Sequence, residues 1–138
     1  MILADTSALL AVFDADDPAH LRAAAYVRSM TVPSRLLVAS PAVAELGYWF
    51  EVRLVPLDQA RALQRIARAA WRVEHFTTED LLRAADLVEQ YADFPLGAVD
   101  ALIVAMAERL DARTIFTLDR RHFSAVRPAH CEAFELVP

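Results

Sequence analysis

The 138-residue sequence has no lysine, no asparagine, one cysteine and two glycines, and the lysine, cysteine and glycine shortages each exclude a class of chemistry. Without lysine there is no Schiff-base mechanism and no lysine-assisted aspartyl-phosphate site; all 14 basic residues are arginine. Gly47 and Gly97 alone cannot build a Walker-type phosphate loop or a GxGxxG dinucleotide fingerprint. A lone Cys131 forms neither an internal disulfide nor an all-cysteine zinc site, and reads as a small buried thiol. Long apolar runs are missing too. The longest uncharged stretch is the nine residues Leu36 to Ala44, against about 20 for a membrane span. Met1-Ile2-Leu3-Ala4-Asp5 carries no basic region ahead of its apolar one, so no secretory leader is expected and the expected location is cytoplasmic. The net charge is −5, an odd sign for a nucleic-acid binder.

What is present is enough chain for one core, burying roughly 68–70% of its unfolded surface without staples. Met1–Ala4 is a short apolar run that reads as a buried strand ending at Asp5, followed by a short helix over Thr6–Phe13. Asp16-Asp17-Pro18 supplies cap and first-turn residues for a helix to about Met30. Arg35–Ala39 reads as a strand, and Ser40-Pro41 opens a helix from Ala42 to about Leu54. Pro56-Leu57-Asp58 begins a helix to about Trp71, with a short strand over Arg72–Phe76. Thr77 or Thr78 with Glu79 and Asp80 opens a helix to Tyr91. After the loop 93–97 come a helix over Ala98–Leu110, a strand over Arg113–Leu118 and a last strand over Cys131–Val137. Apolar strands alternating with helices indicate a sheet covered on both faces. The expected fold class is α/β, a three-layer α/β/α sandwich with a mainly parallel central sheet. With no linker or repeat, residues 1–138 are expected to form a single domain.

In open parallel sheets, ligands bind outside the carboxyl ends of the strands. Four acids fall there. Asp5 ends the first strand, and Asp119 lies just past Arg113–Leu118. Glu45 sits in the opening turns of the helix entered from the second strand, and Asp100 in the first turn after Gly97. Each has a structural alternative: Asp5 as a helix cap, Asp100 as a complement to a helix dipole, Glu45 and Asp119 as solvated acids. Glu45 and Asp100 fit those alternatives least well, because their helix neighbours are apolar and no arginine is near in sequence to pair with them. If the four converge, their repulsion calls for a cation or raised pKa values. An all-oxygen donor set then suits a hard divalent ion, Mg²⁺ or Mn²⁺.

The segments "ILADTSALLAVF", "ASPAVAEL", "PLGAVDALIVAMA" and "FTLDRRHF" give the chain, over its whole length, a resemblance to PIN-domain ribonucleases, in particular the VapC-like toxins of bacterial toxin–antitoxin pairs. The resemblance implies that Asp5, Glu45, Asp100 and Asp119 are the catalytic, metal-binding acidic quartet of a single PIN-like nuclease domain. Thr117 matches a hydroxyl position near the metal, and Thr6 and Ser7 match "DTS", whose hydroxyls can orient Asp5 or cap a helix. The implied chemistry is Mg²⁺- or Mn²⁺-assisted hydrolysis of an RNA phosphodiester with no covalent protein nucleophile. A homodimer and a small antitoxin partner are implied as well. The implied substrate is a structured RNA, tRNA or a ribosomal RNA loop, with "TLDRRHFSAVRP" leaning towards the latter. Two other functions compete: a housekeeping RNA-processing nuclease, and a PIN-like module that binds without cutting.

Arg61, Arg65, Arg68 and Arg72 fall within about 60° of one another on a helix, giving a basic stripe opposite Ala62, Ile66, Ala69 and Val73. The stripe is a solvated face, an RNA-backbone track or a dock for an acidic antitoxin tail. Arg120 and Arg121 follow Asp119 and are placed to meet phosphates, whereas His122 is not expected to be a ligand. Asp14, Asp16 and Asp17 read as turn residues, and Trp49 and Phe50 as core or interface.

Overall fold

The computed structural model describes residues 1–53, 56–94 and 96–138. Five strands, β1 (Ile2–Ala4), β2 (Leu36–Ala39), β3 (Arg72–Glu74), β4 (Thr114–Phe116) and β5 (Glu135–Val137), form one sheet in the order β3-β2-β1-β4-β5. Every pairing is parallel. Leu3 of β1 registers with both Leu37 and Ile115, so β1 is central. The helices are α1 (Thr6–Phe13), α2 (His20–Ser29), α3 (Ser40–Val52), α4 (Pro56–Arg68), α5 (Thr78–Gln90), α6 (Ala98–Leu110) and α7 (Arg120–Ala125). All four residues of β2 are buried, as a sheet covered on both faces requires. The arrangement is the three-layer α/β/α sandwich that the alternating pattern indicates.

Strand order reverses between β1 and β4: the chain builds outward from β1 through β2 to β3, then returns to the other flank for β4 and β5. Such a switch point opens a crevice at the carboxyl ends of the two strands. Asp5 stands at the end of β1 and Asp119 three residues beyond β4.

The core explains the contrasting sequences of two helices. Ala101, Ile103, Val104, Ala105, Met106 and Ala107 of α6 are all buried, so that helix is apolar nearly all round. On α4 only Ala62 and Ile66 are buried, and the arginines face outward.

Several boundaries differ from the sequence expectations. α2 starts at His20, because Asp17 Oδ1 accepts the Ala19 N–H at 2.7 Å and holds Asp17–Ala19 in a turn. α4 ends at Arg68, and Arg72 therefore leaves the helical stripe. It lies in β3 opposite Leu37, where the parallel ladder to β2 takes up its backbone, and pairs with Glu74 at 3.3 Å. The expected helix end at Leu54 and the proline of the 93–97 loop fall outside the described residues. α7 has no apolar period and was not expected.

Thr77 and Asp80 form a reciprocal capping box at the start of α5. Asp80 is only 3% exposed, and Arg109 of α6 donates Nε to its carboxylate at 2.9 Å and Nη2 to the His75 carbonyl at 3.0 Å. Truncating Arg109 leaves a buried carboxylate without its cation. Arg109→Leu should therefore lower unfolding free energy by about 2–4 kcal/mol in urea titration. A loss below about 0.5 kcal/mol would show the pair to be ornamental.

Candidate active site

Asp5 is positioned twice over. Its N–H donates to Phe116 O at 3.0 Å, tying the exit of β1 to β4, and its side chain caps α1. Oδ2 accepts from Ser7 N at 3.3 Å, Ser7 Oγ at 2.6 Å and Thr117 Oγ1 at 2.8 Å. Each of those hydroxyls gives its single proton to Asp5 and accepts from the chain beyond β4. Leu118 N donates to Ser7 Oγ at 2.9 Å, and Asp119 N to Thr117 Oγ1 at 2.9 Å. Thr117 is fully buried. Two hydroxyls thus lock the Asp5 carboxylate to the backbone that presents Asp119.

A pocket of about 240 Å³ at this edge is lined by Asp5, Thr6, Ser7, Leu10, Glu45, Trp49, Asp100 and Asp119. Four acids from four separated segments therefore share one concavity. Thr6 also lines it, and its buried Oγ1 has no hydrogen-bond partner among the described residues. Asp100 enters from the first turn of α6, and a Cβ at Gly97 would lie 3.4 Å from its Oδ2. Phe50 is buried in the core as expected, whereas Trp49 is 42% exposed on the pocket wall.

His122 belongs to the cluster. On α7 it stands three residues after Asp119, and its Nδ1 lies 2.9 Å from Asp119 Oδ2 and 3.2 Å from Asp100 Oδ2. The i,i+3 spacing was a usable signal, but only on a helix, and α7 was not anticipated. Electrostatically the pocket is strained. The Asp100 carboxyl is pushed from its ordinary 3.8 up to about 7, first by burial and then by the Asp5 charge; Asp119 and Glu45 add to this and His122 opposes it. Converging carboxylates that hold one of their number protonated near neutrality fit a divalent cation, which favours the ionised form of every donor.

The arginines sort differently. Arg61, Arg65 and Arg68 line a separate groove of about 580 Å³ with Phe13 and Trp71, and Arg65 lies over the Phe13 ring at 5.2 Å. Phe13 ends α1, so this groove is one helix length, about 12 Å, from Asp5. Arg61 also pairs with Asp58 at 3.1 Å. Arg120 donates to the carbonyls of Leu136 and Pro138, which turns it towards β5, and Arg121 lies over Phe94 at 5.2 Å. Asp14 and Asp17 accept local backbone N–H groups, as turn residues do.

A parallel sheet with acids gathered at its switch point defines a nuclease-type α/β sandwich, and the chain belongs to the PIN-domain family, which it matches over residues 2–127. Ribonuclease VapC26 of Mycobacterium tuberculosis is 40% identical over 138 residues, covering 99% of this chain and all of that protein. Among solved structures, VapC20 of Mycobacterium tuberculosis, described as a sarcin–ricin loop cleaving toxin, superposes with a TM-score of 0.83 at 20% identity, over 96% of this chain and 99% of that one. A DNA-bound VapBC from Salmonella typhimurium superposes at 0.72 and 18% identity, over 98% and 95%. PIN nucleases generally use a divalent metal, in keeping with the donor set here. No helix among the described residues is long and apolar enough to cross a membrane.

The raised Asp100 value has a sign that can be checked. The folded, metal-free protein keeps this proton while the unfolded chain loses it, so stability falls as pH rises from about 4 to about 7 and the deficit is complete above that. Asp100→Asn removes the deficit. In chelator at pH 8 the variant should melt a few degrees above the parent, and the gap should close as pH approaches 4. A gap independent of pH would contradict the assigned cause.

Proposed function

We propose that residues 1–138 form a single PIN-like nuclease domain acting in the cytoplasm as the endoribonuclease toxin of a toxin–antitoxin pair. Its reaction is metal-dependent hydrolysis of a structured RNA that stops translation. One observation carries this: acids from four distant segments line a single pocket at the switch point of the sheet. The 40% identity to a VapC ribonuclease supports the reaction class, and toxin–antitoxin complexes among its structural neighbours support a cognate antitoxin. A ribosomal RNA loop is favoured over tRNA by the likeness to VapC20. The chain acts as a homodimer.

Asp5, Glu45, Asp100 and Asp119 hold Mg²⁺ or Mn²⁺. The bound ion supplies Lewis-acid polarisation of the phosphate and a local acidification of water. The chain's own residues do the rest. Ser7 and Thr117 fix Asp5 and have no free proton for nucleophilic work. Trp49 offers an exposed face for a nucleobase. Arg61, Arg65 and Arg68 track the RNA backbone one helix length away. Arg72, Arg120 and Arg121 contribute less, being turned to Glu74, to the β5 carbonyls and to Phe94. The complete quartet argues against a module that only binds.

Asp5→Asn and Asp100→Asn should each lower RNA cleavage at least about 10³-fold with the circular dichroism spectrum unchanged. EDTA should stop the parent and Mn²⁺ or Mg²⁺ restore it. Parental rates in either variant would remove the quartet from the chemistry. Arg61→Ala with Arg68→Ala should reduce the slope of log affinity against log salt by about 1.4 for single-stranded RNA; an unchanged slope would return those arginines to solvent.

A further inference from the structure

The quartet leaves one group unexplained. His122 Nδ1 faces two acids at once, 2.9 Å from Asp119 Oδ2 and 3.2 Å from Asp100 Oδ2. An imidazole nitrogen carries at most one proton and cannot make two good hydrogen bonds with it. A cation can engage all three atoms. Donors at about 2.1 Å and a right angle apart on an octahedral ion are separated by about 3.0 Å, which is the spacing observed. One donor atom each from Asp100, Asp119 and His122 lies within 4.8 Å of the others, a grouping that could hold a metal ion.

The ring is held in place. The edge of Phe94 packs on His122 with centroids 5.5 Å apart and planes at 72°, and the first turn of α7 fixes the backbone through His122 N and Asp119 Oδ1 at 3.4 Å. Among the described residues Nε2 has no protein partner. The ring is therefore set by packing and not by a competing hydrogen bond at its far side. The other histidines are engaged elsewhere or lie outside the cluster: His20 Nδ1 meets Ala11 O at 2.8 Å, His130 Nε2 meets Ala112 O at 3.0 Å, and His75 follows β3.

We infer that His122 Nδ1 is a direct ligand of the cation in this pocket, forming with Asp100 and Asp119 a mixed nitrogen–oxygen centre that prefers Mn²⁺ to Mg²⁺. The inference rests on the metal-dependent function proposed above and adds a residue and a selectivity to it. Mg²⁺ is hard, binds oxygen and gives up its water reluctantly, whereas Mn²⁺, a first-row transition ion, accepts an imidazole nitrogen beside oxygen donors more readily. A neutral nitrogen in the third position raises affinity for Mn²⁺ without adding a further negative charge to a crowded site.

Pulsed electron paramagnetic resonance of the Mn²⁺-loaded full chain reads this directly, without substrate. The parent should show nitrogen hyperfine modulation from a directly bound imidazole, which should change isotope character when the chain carries ¹⁵N-histidine. His122→Ala should lose it and bind Mn²⁺ about tenfold more weakly, with Mg²⁺ affinity changed less than about threefold. Because the labelled parent alone shows the nitrogen, a poorly folded variant does not weaken the test. Bound Mn²⁺ without nitrogen coupling would overturn the ligand role while leaving the acidic quartet standing. Absence of bound Mn²⁺ in the parent would overturn both.

Discussion

The structure is organised around mutual repulsion. Two carboxylates about 4 Å apart repel by ~1 kcal/mol in water and ~4 kcal/mol at an effective dielectric of 20, and this pocket gathers four from distant segments. Burial worsens the conflict at Asp100, whose carboxyl holds its proton to about pH 7 without a cation. A fold selected for stability alone would disperse these charges. Here they converge at the edge of an apolar core. Leu3, Ile115, Phe116, Ile103 and Met106 are fully buried just behind the site.

Two devices keep the acids converged. The first is topological: β1 is flanked in parallel by β2 and β4, so the exits of adjacent strands point to one edge. The second is a pair of hydroxyls. Ser7 and Thr117, 110 residues apart, each give a proton to Asp5 and accept an amide from the segment that carries Asp119. The Asp5 carboxylate is thereby held against the segment that presents Asp119. Arg72 is turned to Glu74, Arg120 to backbone carbonyls and Arg121 to the Phe94 ring, so none of these three contacts is with a pocket acid.

Much of this was legible in the sequence because it is local. Ala98–Leu110 is a helix to the residue, and of the two threonines expected to open α5 it is Thr77 that caps it, with Asp80. Asp5 and Asp119 were legible as strand-end residues, Glu45 and Asp100 as acids in apolar helical stretches, and the family resemblance joined the four. What escaped depends on contacts across the chain or on elements too short to have a period. α7 is six residues with two arginines and a histidine, so nothing in its pattern announced a helix, and His122 lost its relation to Asp119 with it. Arg72 joined a helical stripe on angular spacing alone, whereas the ladder to Leu37 claims it for β3. Trp49 follows an apolar run and reads as core or interface; it stands half-exposed on the pocket wall.

The net charge of −5 is explained by the same pocket. With the four pocket acids set aside, 15 acidic residues face 14 arginines, a nearly neutral remainder. The surplus of negative charge is the site itself, poised for a divalent cation rather than spread against nucleic acid. The most direct measurement is an anomalous difference map from a crystal of this protein soaked in Mn²⁺. A peak enclosed by Asp5, Glu45, Asp100 and Asp119 is the expected result. A pocket left without a peak at saturating Mn²⁺, or an ion bound only at other acids, would contradict the account.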